Sequence, residues 1–156
     1  MKKVLVAYYS SAGTTEKMAG YIAEGVRFSG QEAVTKNIDD IRMARDLEGY
    51  DGYIFGAPTY SLDVPGPMKA FIQMAKKAGL EGKAGGAFGP YTHLVGYRHD
   101  SHAAAVIFGS LQSELKMRPF ELGPFNLQED VLNTSDGMRT CQDYGRVFGE
   151  KLGAQV

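Results

Sequence analysis

Residues 4–22 read Val4-Leu5-Val6-Ala7-Tyr8-Tyr9-Ser10-Ser11-Ala12-Gly13-Thr14-Thr15-Glu16-Lys17-Met18-Ala19-Gly20-Tyr21-Ile22, and this stretch decides the fold. Val4 to Ala7 form the near-continuous apolar run of a parallel strand covered on both faces. From Thr15 onward Met18, Ala19, Ile22 and Val26 recur at helical spacing, so an amphipathic helix follows the strand directly. The turn between them, Ser10 to Thr15, carries four hydroxyl side chains in six residues. Two readings of that turn stay open. Ser and Thr cap helices, and a helix N-terminus with unpaired amides and a positive dipole end also receives a phosphate.

The composition of the turn narrows the phosphate reading. It has no Gly-Lys-Ser/Thr ending, so the lysine and metal ligand of a P-loop nucleotidase are missing. Gly13 is its only glycine, so the three-glycine approach to a pyrophosphate is missing too. A neutral, hydroxyl-rich nest suits a terminal phosphomonoester.

The coarse reading along the chain alternates strands and helices: strands at 3–9, 32–38, 51–56, 83–89 and 119–127, and helices at 14–28, 40–47, 66–78, 101–116 and 135–153. That pattern predicts one α/β domain over 1–156, a three-layer, doubly wound, five-stranded parallel sheet, with ligands at the carboxyl ends of the strands where the strand order reverses. Pro119 and Pro124 interrupt the last strand, which is therefore expected at an edge. Gly145 and Gly149, one turn apart on the last helix, are expected to let that helix approach the sheet.

The phosphate turn resembles that of the flavodoxin-like FMN proteins, Ser/Thr-x-Thr-Gly-x-Thr, with Ser10, Gly13 and Thr15 on its fixed positions and Ala12 replacing the usual middle hydroxyl. Asp51-Gly52-Tyr53-Ile54-Phe55-Gly56-Ala57-Pro58-Thr59-Tyr60 is similar to the family's third strand and first flavin loop. Pro65 to Phe71 looks like the helix after it, and Gly86-Ala87-Phe88-Gly89-Pro90-Tyr91 resembles the fourth strand and second flavin loop. The resemblance is to short flavodoxins and to the flavodoxin module of A-type flavoproteins, with strand order 2-1-3-4-5. It implies FMN as cofactor, held by Ser10, Ser11, Ala12, Gly13, Thr14 and Thr15 at the phosphate. Pro58, Thr59, Tyr60, Ser61 and Leu62 then form one flavin loop, and Phe88, Gly89, Pro90, Tyr91 and His93 the other.

Composition bears on setting and partners. The chain has 156 residues, 17 basic and 18 acidic side chains, and a net charge of −1, without a run of either sign. No nucleic-acid or anionic-membrane footprint follows from that, and the field that steers acidic carriers to basic partners is weak. No apolar run reaches membrane-spanning length and no signal segment is visible, so a cytoplasmic protein is expected. The single cysteine, Cys141, falls on the apolar face of the last helix and is expected to be buried and inert. His93, His99 and His102 share one ten-residue stretch without supporting carboxylates or thiols, so no metal site is expected. His102 is assigned to the interior of the fourth helix, away from ligand.

Two functions are open on these residues. One is an FMN-binding electron carrier serving redox partner proteins. The other is an FMN-dependent NAD(P)H:quinone or related small-molecule oxidoreductase. Short length favours the carrier; near-zero charge and the long 92–100 connection favour the reductase.

Overall fold

The computed structural model describes residues 1–10, 12–59, 64–92 and 102–155. Strands β1 (Lys3–Tyr8), β2 (Glu32–Asn37), β3 (Gly52–Gly56) and β4 (Ala84–Tyr91) pair in parallel in the order β2-β1-β3-β4. Helices α1 (Thr14–Phe28), α2 (Gly66–Ala75) and α3 (Ala103–Ser113) lie in the crossovers, and α5 (Ser135–Gly153) closes the chain after the single turn α4 (Glu129–Leu132). The segment read as one short helix at 40–47 is two 3-10 turns, Ile38–Asp40 and Ala44–Leu47.

Strand alternation sorts the core into two layers. Leu5, Ala7, Tyr53, Phe55 and Ala87 face α2 and α3, where Met68, Phe71, Ile72, Ile107 and Leu111 complete one cluster. Val4, Val6, Ile54 and Phe88 face α1 and α5, against Met18, Ile22, Val26, Tyr144 and Phe148. Both faces of β1 and β3 are therefore buried, as their unbroken apolar runs require. Cys141 belongs to the second cluster, and burial pushes its thiol up to about 12. Among the described residues, no helix is long and apolar enough to cross a membrane.

Two further sequence readings are corrected by the structure. The single strand at 119–127 is two pieces, β5 (Arg118–Pro119) and β6 (Phe125–Gln128), both parallel to β4. The chain leaves the sheet between them through Gly123, whose φ of 73° is a left-handed turn position. β4 pairs with β5 up to Gly85 and with β6 from Phe88, so Gly86 and Ala87 face the break. The Tyr144 hydroxyl fills it. It accepts from the Ala87 N–H at 3.1 Å and lies 3.2 and 3.3 Å from the Ala87 and Gly123 carbonyl oxygens, one of which takes its proton. Gly86 is what admits the ring, since a Cβ there would sit 2.7 Å from that oxygen.

The second correction concerns Gly145 and Gly149, which approach α1 instead of the sheet. A Cβ on Gly145 would fall 1.9 Å from the Ile22 carbonyl oxygen, and one on Gly25 would fall 1.9 Å from that of Gln142. Helices α1 and α5 thus touch backbone to backbone on one face of the sheet.

Replacing Tyr144 with Phe leaves the buried Ala87 amide without its acceptor, and is expected to lower stability by about 1–3 kcal/mol in urea unfolding. Gly145→Ala, which forces a methyl into the α1 backbone, is expected to cost about as much, roughly 1–3 kcal/mol by the same measurement.

Candidate functional site

The carboxyl ends of β1, β3 and β4 open into one cavity of about 240 Å³. Ser10, Ala12, Thr14 and Thr15 line one end, and Pro58, Thr59, Pro90, Tyr91 and Thr92 line the other, with Glu129 also in its wall.

At the first end, Gly13 is the N-cap of α1 and adopts φ 89°, a left-handed conformation that favours glycine although nothing crowds its Cβ position. The Gly13 amide donates to Ser10 Oγ at 3.0 Å, which closes the turn. Gly13 has no side chain with which to serve the first-turn amides of α1. The contrast with α5 is direct, since Thr134 caps that helix by accepting from the Gly137 amide at 3.0 Å. The N-terminus of α1 therefore presents amides and the positive dipole end toward a cavity whose near wall carries the Ser10, Thr14 and Thr15 side chains. That is the donor set an oxyanion needs. Below it, the Tyr8 hydroxyl donates to Glu16 Oε1 at 2.8 Å, and burial together with that carboxylate pushes Tyr8 up to about 12.

At the other end, the chain segments after β3 and β4 are joined. Ala57 N–H donates to the Phe88 carbonyl at 3.2 Å and Thr59 N–H to that of Pro90 at 3.4 Å. A Cβ on Gly89 would lie 2.2 Å from the Ala57 carbonyl oxygen, so this approach requires glycine. Thr59 Oγ1 accepts from the Ala103 amide at 2.9 Å and so caps α3. His102, the N-cap residue of α3, is 3 % exposed and stacks on Tyr91 with ring centroids 4.5 Å apart and planes 22° from parallel.

Of the residues expected to hold the cofactor, Ser10, Ala12, Thr14, Thr15, Pro58, Thr59, Pro90 and Tyr91 share this cavity. Gly13 borders a polar crevice beside it. Ser11, Tyr60, Ser61, Leu62 and His93 lie outside the described residues. Two expectations are corrected. The Phe88 ring is fully buried in the layer facing α1 and α5, packed under Gly56, and does not line the cavity. His102 is not inside α3 away from the site, because the helix begins at Ala103 and the imidazole backs a wall residue. Thr92 and Glu129 were not read as site residues. Thr92 adjoins Tyr91 and was within reach of the loop motif, whereas Glu129 follows β6, where no motif points.

The flavodoxin family model matches residues 6–118, more than half of the chain. The chain belongs to the flavodoxin family. Proteins of this family bind a flavin, typically FMN. A flavodoxin of Clostridium saccharobutylicum is 38% identical over 95 residues, covering 60% of this chain and 59% of that protein. An NAD(P)H dehydrogenase (quinone) of Azorhizobium caulinodans is 36% identical over 111 residues, covering 56% of each. The chain thus spans less than two thirds of the length of either relative. Among solved structures, a flavodoxin from the domain Archaea matches with a TM-score of 0.84 at 22% identity, covering 97% of this chain and 99% of that one, which is a likeness of fold. The flavodoxin-family match ends at β5, so β6, α4 and α5 lie beyond it.

Thr59→Val removes the hydroxyl that caps α3 while keeping the side chain's shape. It is expected to lower the urea midpoint by an amount equivalent to about 1 kcal/mol, with Thr59→Ser restoring most of it.

Proposed function

We propose that this flavodoxin-family chain binds one FMN in the cavity at the carboxyl ends of β1, β3 and β4 and passes electrons between redox partner proteins in the cytoplasm. The observation that carries this reading is the N-terminus of α1, which has no side-chain cap from Gly13 and opens into a cavity lined by Ser10, Thr14 and Thr15. A phosphomonoester dianion would take the free amides there, with hydroxyl donors beside them. The absence of a glycine-rich approach favours a terminal phosphate over a pyrophosphate.

At the other end, Pro58 and Pro90 restrict the backbone, and Tyr91, held from behind by His102, offers a flat face for a planar heterocycle. FMN, when bound, supplies the one- and two-electron chemistry. The chain's own part is to fix the ring against Tyr91, to exclude water on that side, and to anchor the phosphate through Thr14 and Thr15. With a net charge of −1 the protein brings little long-range steering to a partner, so its encounters should depend weakly on salt.

A second reading is favoured by the relative named NAD(P)H dehydrogenase (quinone). On that reading the same cavity leaves one flavin face open to a nicotinamide and a quinone.

Fluorescence titration tests the phosphate anchor. FMN is expected to bind at least tenfold more tightly than riboflavin, and Thr15→Ala to weaken FMN by about 1–3 kcal/mol with riboflavin unchanged. Equal affinity for the two flavins would sink the proposal. Rapid mixing of the loaded protein with NADH alone separates the two functions. A carrier is reduced slowly, whereas rapid NADH oxidation sustained by a quinone would establish the reductase.

A further inference from the structure

Glu129 is the only charged side chain among the described residues of the cavity wall, and neither the sequence motifs nor the family match accounts for it. It is partly buried at the start of α4, directly after Gln128, which pairs with Tyr91 across the β4–β6 ladder. Ala12 and Thr14 accompany it in the cavity and again in the adjoining polar crevice. Glu129 therefore borders the Ala12–Thr14 part of the site and, through the β4–β6 register, follows the strand position paired with Tyr91. Lys17, which shares the crevice, donates its ammonium to Asn133 Oδ1 at 2.8 Å, and no hydrogen bond or ion pair to Glu129 is found among the described residues.

An ionised carboxylate only accepts hydrogen bonds. Set beside a phosphate nest, it cannot serve the phosphate, which is itself an acceptor and carries the same sign of charge. Hydroxyl donors are its complement. We propose that Glu129 accepts hydrogen bonds from the polyol chain that joins the ring of the ligand to its phosphate, making it a binding residue for the hydroxylated linker. This rests on the FMN reading for the identity of the chain, while the geometry on which it stands is that of Glu129 alone.

Three flavins that differ by one part each test it: lumiflavin, with the ring only; riboflavin, with ring and polyol; and FMN, with all three parts. Their dissociation constants are measured by fluorescence quenching for the wild type, Glu129→Ala and Glu129→Gln. Glu129→Ala is expected to weaken riboflavin roughly tenfold or more, the effect of losing a hydrogen bond to a charged acceptor, and to leave lumiflavin unchanged. FMN should weaken by a smaller factor, because removal of the carboxylate also relieves its repulsion of the phosphate. Glu129→Gln keeps an acceptor oxygen and should recover part of the riboflavin loss. An unchanged urea midpoint verifies that the variants fold. Unchanged riboflavin affinity in Glu129→Ala would overturn the proposal, whether FMN binds more tightly, as a carboxylate facing only the phosphate requires, or stays the same, as one facing solvent requires. If wild-type protein binds riboflavin as tightly as FMN, the phosphate reading fails, but Glu129 is still judged by riboflavin against lumiflavin.

Discussion

The site depends on where α1 is held. A helix whose N-cap is a left-handed glycine with no capping side chain gains little from its own first turn. What fixes it is packing behind that turn. Met18, Ala19, Ile22 and Val26 press on the sheet, and the helix backbone meets that of α5 where Gly25 opposes Gln142 and Gly145 opposes Ile22. Backbones this close leave no room to slide without a clash, so the amides of Thr14 and Thr15 keep their aim at the cavity. Stability from the far half of the helix offsets a first turn left open to a ligand, which is how binding sites are commonly maintained.

The other wall depends on the same logic applied to β4. Its break with strand five, bridged by the Tyr144 hydroxyl, lets the upper half of the strand pair with β6 and so brings Glu129 beside Tyr91 and Thr92. Helix α5 therefore serves the site twice, by clamping α1 through Gly145 and by closing the β4 ladder through Tyr144. Neither residue touches the cavity. Substitutions at either would loosen both walls together, since one helix supports both.

How much of this was legible in the sequence follows from how local each signal is. The β1–α1 unit was readable because a near-continuous apolar run gives way to 3.6-residue spacing within residues 4–22, and the structure places α1 at Thr14–Phe28, as the spacing predicts. Most of the cavity was readable for the same reason, each part lying on a short motif at a strand end. Strand five was not, because its division depends on a hydroxyl 57 residues from Ala87. The glycines of α5 were recognised as marking a close approach, but periodicity identifies an inward face without saying which neighbour fills it. Phe88 was placed at the cofactor because it adjoins Gly89 and Pro90, whereas strand alternation turns its ring to the opposite layer. Glu129 belongs to no motif and became visible only when β6 was seen beside β4.

Near-neutral charge, often taken as uninformative, sharpens the picture of the site. With 17 basic and 18 acidic side chains, little net field is available to hold an anion at a distance, so affinity for a phosphate must come from contact donors. At the α1 N-terminus the groups available for that are amides and the hydroxyls of Ser10, Thr14 and Thr15. A carboxylate in the same wall would be a liability unless it had hydrogen-bond donors of its own. The polyol of a flavin is the part of the ligand that supplies them. On the proposed FMN reading the wall divides by chemistry, with donors for the phosphate, an acceptor for the hydroxyls and an aromatic face for the ring.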